Sequence, residues 1–263
     1  MMKDDERSRT NGKKRDTIKS VETTFTIVES LKARNGARVT QIAADTGLSK
    51  GTVHKHLTTL MRLGFVAKEG DIYRVGFRFL DLGGFVRSQV PAYRIIKEKT
   101  RELAEETNEI AFFTTEENGR PVILFREVGQ QGVPTRSRVG QRLYMHQIAA
   151  GKAILAEYPH ERVREIIDQH GLPKATENTI SDEERLFEEL ERIREQGFAL
   201  SIEEATIGLQ AAAVTVSDPK GDVLGACAVG GPVHRMDGEY FEIEIPGLLR
   251  SIANELELSI AYA

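Results

Sequence analysis

The chain reads as an α+β protein in two parts: a winged helix-turn-helix, then a larger domain built on a mainly antiparallel sheet. Three observations predict this. The stretch Val39 to Arg74, VTQIAADTGLSKGTVHKHLTTLMRLGFVAKEGDIYR, alternates helix and turn signals and closes on two short β-rich runs. From Glu109 the pattern changes to hairpins interspersed with helices. Charge divides the chain in the same way. Residues 1–90 carry 17 Lys and Arg against 10 Asp and Glu, and residues 91–263 carry 19 against 30, so +7 and −11 make up the net −4.

The first 16 residues, MMKDDERSRTNGKKRD, are charged and nearly free of apolar side chains, which predicts a disordered arm over 1–16, with Lys13-Lys14-Arg15 a solvated cluster. The winged helix-turn-helix is expected over 17–76. Its first helix runs Ile18 to Arg34, with Val21, Phe25, Val28 and Leu31 at helical spacing. Thr40 is the expected N-cap of the second helix, and Gly47 its stop, because glycine adopts positive φ without steric cost. Ser49 caps the third helix, which ends at Gly64. Phe65–Lys68 and Ile72–Val75 around Glu69-Gly70-Asp71 make a hairpin wing.

The third helix sorts by face. At about 100° per residue Val53, Leu57 and Leu60 share one stripe, the buried one. Gly51, Lys55, Thr58 and Arg62 lie opposite, flanked by Thr52 and His54, a small, hydroxylated and basic surface suited to phosphates and base edges. The expected DNA-binding residues are Arg38, Thr40, Gln41, Lys50, Gly51, Thr52, His54, Lys55, Thr58, Arg62 and Arg74. Glu69 and Asp71 make the wing tip acidic, so the third helix carries most of the recognition. The partner is a double-stranded DNA operator, bound through local positive charge although the whole chain has a pI near 6.0.

Residues 77–90, rich in Phe and Leu, form a linker helix, and its apolar face makes the chain a candidate homodimer or homotetramer, since two heads read two half-sites. Pro91 breaks the chain before a helix at Ala92–Glu106, and the second domain occupies 91–263. Ile110–Thr115 and Val122–Val128, joined by Glu117-Asn118-Gly119, predict a hairpin. Strands are expected at Pro134–Val139 and Gln141–Met145, then helices at Gln147–Glu157, His160–His170 and Asp182–Gln196, the last capped by Ser181. Strands at Phe198–Glu203, Gln210–Ser217 and Val223–Gly230 precede a helix at Gly247–Tyr262.

Composition narrows the function classes. No run of 18 apolar residues and no secretory h-region is present, which points to a cytoplasmic protein without a membrane partner. One cysteine, Cys227, precludes an intrachain disulfide, and with no adjacent base it reads as packing rather than as a nucleophile. His54 and His56 project in nearly opposite directions, and the remaining histidines lack neighbours at ligand spacing, so no metal site is expected. The competing reading is an enzyme acting on a small metabolite, with the head as an accessory. No triad, Walker loop or dinucleotide fingerprint supports it, and no cofactor is expected. Lys152 is read as structural or phosphate-facing rather than as a Schiff-base lysine.

The head, through Val39–Gly64 and Tyr73-Arg74-Val75-Gly76, resembles the isocitrate-lyase-regulator (IclR) family of transcription factors. The body resembles that family's effector domain through Val139-Gly-Gln-Arg-Leu-Tyr-Met-His, Ala150-Gly-Lys-Ala-Ile-Leu-Ala, Gly197-Phe-Ala-Leu-Ser-Ile-Glu-Glu and Gly225-Ala-Cys-Ala-Val-Gly-Gly-Pro. The likeness covers about residues 18–262 and implies a GAF-like effector domain, dimers or tetramers, and operator binding controlled by a small organic or aromatic acid. The expected effector-binding residues are Leu143, Met145, Ala149, Ala150, Gly151, Ser201, Glu204, Ala211, Cys227, Ala228 and Gly230. Family members holding small carboxylates tend to carry Asp, Cys or Ser at positions corresponding to Ser201, Ala211, Ala228 and Gly230. Three of the four are Ala or Gly here, which favours a larger or more apolar ligand. Small residues at Ala149-Ala150-Gly151 leave room beside the free N–H groups of a helix start, an arrangement suited to an anion.

Overall fold

The computed structural model describes residues 17–133, 135 and 137–262, so the expected arm over 1–16 lies outside it. The chain divides into two compact units between Phe85 and Val86.

In the first unit α1 (Lys19–Ala33), α2 (Val39–Thr46) and α3 (Lys50–Arg62) precede an antiparallel pair, β1 (Val66–Glu69) and β2 (Ile72–Val75). Ile27, Val28 and Leu31 of α1 meet Ile42, Val53, Leu57 and Leu60, with Val66 and Tyr73 closing the core from the wing. The expected α3 stripe is buried at all three positions. The stripe on α1 is not as expected: Val21 and Phe25 are 49% and 56% exposed, because Ile27 and Leu31, four residues apart, take the core-facing row. Ile18, Val21 and Phe25 form a separate outer row.

The caps follow local chemistry. Gly47 ends α2 at φ 68°, and the Ser49 hydroxyl accepts from Thr52 N–H at 3.1 Å. Thr40 is not the α2 cap. Arg38 occupies that position, and its backbone N–H donates to Gln41 Oε1 at 2.9 Å, half of a capping box. Arg34 ties α1 to α2 by donating to both carboxylate oxygens of Asp45, which with the Ser30 hydroxyl lowers that carboxyl to about 2. The helix α4 (Arg78–Ser88) leads out of the first unit with no buried residue.

The second unit is one five-stranded antiparallel sheet in the order β4-β3-β7-β6-β5, from β3 (Ile110–Glu117), β4 (Arg120–Val128), β5 (Ala199–Ile202), β6 (Leu209–Ser217) and β7 (Val223–Pro232). A two-residue turn joins β3 to β4, with Asn118 and Gly119 both at positive φ, the geometry that matches strand twist. Alternate residues split between two cores. Phe113, Ala212, Val214, Cys227 and Val229 face α5 (Tyr93–Thr107) and α9 (Ile245–Ala261). Phe112, Ala211, Ala213, Ala226 and Ala228 face α6 (Ala149–Ala156), α7 (His160–His170) and α8 (Glu183–Gln196). Burial of both faces hides the apolar-polar alternation that usually marks a strand.

Three expectations change here. The strands at 134–139 and 141–145 do not form among the described residues, and Pro134 lies outside them. Gly140, at φ 77°, and the Arg138–Gln141 turn bend the chain, so it touches the β4 edge only at points such as Gly140 N–H to Ile123 O and Leu143 N–H to Pro121 O. Thus α6 follows a 3₁₀ turn, Met145–Gln147, rather than a strand. Asp182, not Ser181, caps α8, its carboxylate accepting from Arg185 N–H at 3.0 Å.

Candidate nucleic-acid interface and ligand cavity

On α3, Lys50, Gly51, His54, Lys55, Thr58 and Arg62 are exposed and Thr52 is half-buried. No ion pair among the described residues engages Lys50, Lys55 or Arg62. The Thr52 hydroxyl is 2.9 Å from Ser49 Oγ, beside the cap at the start of α3. His56 is bound inward, its Nδ1 2.8 Å from Thr24 Oγ1, which settles it as packing. Arg38, Thr40 and Gln41 are exposed at the start of α2, although the Gln41 carbonyl is already used by the cap. Arg74 is committed to its own unit: it donates to Asn35 O at 2.9 Å and pairs with Glu69 at 3.5 Å. The acidic wing tip therefore clamps the wing arginine.

The cavity of the second unit, about 680 Å³, lies between the α6 face of the sheet and the segment that runs along β4. Leu143, Ala149, Ala150, Ser201, Ala211, Ala228 and Gly230 line it. The small side chains on β6 and β7 create the volume. Phe112, Thr114, Ile123, Ile148, Leu209 and Thr206 also line it and were not singled out in the sequence, because nothing local marks which strand face is hollow. Every described lining side chain is uncharged, with polarity coming from hydroxyls and from amides such as Gln141 and Gln147. Ser201 donates to Gln147 O at 3.3 Å, and no side chain caps the first turn of α6.

Four of the expected effector positions lie elsewhere. Cys227 sits on the opposite face of the sheet, one step out of phase with Ala228, and burial pushes its thiol up to about 12. Met145 is packed under α6, 2% exposed. Gly151 faces it: a Cβ there would stand 2.2 Å from Met145 O. Glu204 is buried and accepts from Lys152 Nζ at 2.7 Å. Lys152 also reaches Glu189 of α8 at 2.9 Å, and the two contacts hold its ammonium between α8 and the loop after β5, with a side chain 1% exposed. A buried lysine held between two carboxylates is a structural strut. The second Glu204 oxygen has no partner, and burial shifts that carboxyl upward against the pull of the lysine. Glu203 takes φ 55° and accepts from Gly208 N–H, while Thr179 Oγ1 donates to Glu204 O at 2.6 Å. These contacts set the loop that supplies Ala205 and Thr206 to the cavity wall.

A helix-turn-helix whose basic face has no ion-pair partner among the described residues, joined in one chain to a sheet domain with a small-molecule-sized cavity, defines a DNA-binding regulator with a sensor domain. The chain belongs to the IclR family of transcriptional regulators. The family model for the bacterial transcriptional regulator IclR C-terminal domain matches residues 86–258, and that for the IclR helix-turn-helix domain matches residues 20–70. The chain is similar to the probable HTH-type transcriptional regulator ArcR of Halobacterium salinarum, 30% identical over 96% of this chain and 97% of the relative. Among solved structures, the Thermotoga maritima IclR matches at TM-score 0.76 with 26% identity, covering 93% of this chain and 99% of that one. An IclR homolog from Microbacterium hydrocarbonoxydans complexed with 4-hydroxybenzoate shares the fold at TM-score 0.78 with 18% identity, covering 93% and 100%. Among the described residues no helix is long and apolar enough to cross a membrane, and no group of acidic, His or Cys side chains is arranged to hold a metal.

Proposed function

We propose that this protein controls transcription by binding a double-stranded operator through α3 and releasing or repositioning on it when a small organic or aromatic acid fills the cavity. The observation that carries this is a largely apolar 680 Å³ cavity in the same chain as an uncompensated basic helix face. Lys50, Lys55 and Arg62 supply phosphate contacts, Gly51 permits close approach, and Thr52, His54 and Thr58 face base edges. Arg38, Thr40 and Gln41 contact the flanking backbone, and Arg74 acts mainly by holding the wing. Such a regulator works beside the chromosome, in the cytoplasm.

Small residues at Ala149, Ala150, Ala211, Ala228 and Gly230 suit a ligand with an apolar body, as does the lining of Phe112, Ile123 and Leu209. The ligand acts by preferring one arrangement of paired heads, so its effect on DNA equals its difference in affinity between two states. The pairing rests on two exposed rows: Ile18, Val21 and Phe25 on α1, and Phe77, Leu80 and Leu82 at and along α4, where Phe77 and Leu80 are 89% and 72% exposed. A homodimer, or a tetramer of such dimers, buries them.

The test is footprinting of the flanking promoter with and without catabolic acids. A footprint that no acid in the screen alters argues against the sensor. Lys55→Ala should weaken operator binding by about 1–3 kcal/mol or, if the lysine touches only phosphate, lower the salt slope by about one. Unchanged affinity and salt slope in an anisotropy titration would remove α3 as the docking face. Leu80→Glu should lower the mass seen by light scattering toward the monomer; an unchanged oligomer would place the interface elsewhere.

A further inference from the structure

We infer that Arg126 is the anion anchor of the cavity, the specificity-determining side chain that makes it select a carboxylate over the neutral isostere. This rests on reading the cavity as a ligand site, and it assigns the acid group to the β4 end rather than to the α6 end. Arg126 pairs directly with Phe112 in the antiparallel register of β3 and β4. Directly paired residues share a face, and Phe112 lines the cavity, so Arg126 rises on the cavity side. Its Nε donates to Ser137 Oγ at 3.0 Å, and its Nη2 reaches Thr135 Oγ1 at 3.5 Å. Both hydroxyls line the cavity.

The guanidinium is half-buried and has no acidic partner among the described residues. An arginine in that position without a counter-ion is uncommon, because hydroxyls return little of the hydration a charge gives up. Among the described residues two of its five N–H donors are engaged, and the 3.5 Å contact is at the limit of a hydrogen bond. Thr135 Oγ1 and Ser137 Oγ contact one another, so one O–H fills that contact and the other is left to donate. The cluster therefore sets a guanidinium with unengaged donors directly behind two cavity-lining hydroxyls, one of them free to donate, at one end of a cavity whose described lining side chains are all neutral. The fork geometry suits a bidentate acid.

The first turn of α6 competes for the same group. Its partial charge is about half an elementary charge at most, against the full charge of Arg126. It also sits on the helix whose Lys152 is already held between two glutamates. The ligand class that fits is a monocarboxylic acid with its acid group at Thr135, Ser137 and Arg126 and an aryl or alkyl body along Phe112, Ile123 and Leu143.

Matched pairs test this on the full chain by calorimetry and thermal shift: benzoate with benzamide, 4-hydroxybenzoate with 4-hydroxybenzamide, and octanoate with octanamide. In the wild type at least one acid should bind about tenfold or more tightly than its amide. Arg126→Gln should lose that preference while holding the amide within about threefold. Arg126→Lys keeps the charge without the fork, and should retain part of the preference; it also serves if the glutamine variant fails to fold. A glutamine variant that still discriminates as the wild type does would overturn the assignment. Amides binding as well as acids in the wild type would also overturn it, with the cavity reading intact. If neither acids nor amides bind the wild type, the ligand reading falls and takes this one with it.

Discussion

Lys152→Met should destabilise the second unit by about 3–5 kcal/mol, the cost of removing one partner from a buried ionic cluster. Methionine matches the lysine stem in volume, so packing survives and the loss is electrostatic. Two carboxylates then remain inside, with Arg192 reaching Glu189 at 2.7 Å but no cation left for Glu204 among the described residues. Adding Glu204→Gln should restore a large part of the loss, because a neutral amide replaces the stranded charge. The pH dependence has a definite sign. Burial already raises the Glu204 carboxyl above its ordinary value, and without the ammonium it rises further. A raised folded value means stability that is full below the unfolded value near 4.3 and is lost as pH climbs through the folded one. The Lys152→Met defect should therefore deepen as the pH rises above the ordinary carboxylate range, and Glu204→Gln should flatten that slope. Urea unfolding followed across that rise decides it. A pH-independent loss in Lys152→Met would mean that packing, not the ionic strut, holds the loop.

Gly151→Ala should cost about 1–3 kcal/mol although alanine is the better helix former. The helix gains up to about 1 kcal/mol from the change. Against this, the new Cβ lies 2.2 Å from Met145 O and 2.7 Å from Met145 Cα, both backbone atoms that cannot rotate away. The clash wins. Gly247→Ala, near the start of α9 with no heavy atom within 4 Å, is the control and should be neutral or stabilising. Because Gly151 faces Met145 rather than the cavity, the loss should show in the melting temperature and not as a selective loss of ligand response. A Gly151→Ala protein as stable as the wild type would mean that the 3₁₀ turn yields easily.

Much of the architecture was legible because it rests on local chemistry. Gly47, Ser49 and the Val53, Leu57, Leu60 stripe are set by conformational freedom, hydrogen-bonding reach and helical period within a few residues. Asn118-Gly119 specifies its hairpin in the same way. Misreadings began where partners are distant. Val21 and Phe25 have the right spacing for a core stripe, yet Ile27 takes the inside because α2 and α3 approach that row. Met145, Ala150 and Gly151 are near neighbours along the chain, yet in space the helix turns Ala150 to the cavity and Gly151 to the turn beneath it. Cys227 and Ala228 part company because strand neighbours face opposite ways. Arg126 sits unmarked in a β-rich run, since its surroundings, Ser137 and Thr135 with no acidic partner among the described residues, come from a separate segment.

The sequence by itself determined the class of this protein: a basic recognition helix, a wing with an acidic tip and an acidic α+β body, each written in short-range periodicity, turn residues and charge. Only the tertiary structure decided which small residues surround space and which surround backbone, which charges are paired, and that Arg126 stands behind two cavity-lining hydroxyls with no acidic partner among the described residues. Those properties depend on contacts between segments far apart in the chain, such as Lys152 with Glu204 or Phe112 with Ala228. Spacing along the sequence carries no information about them until the sheet brings them into register.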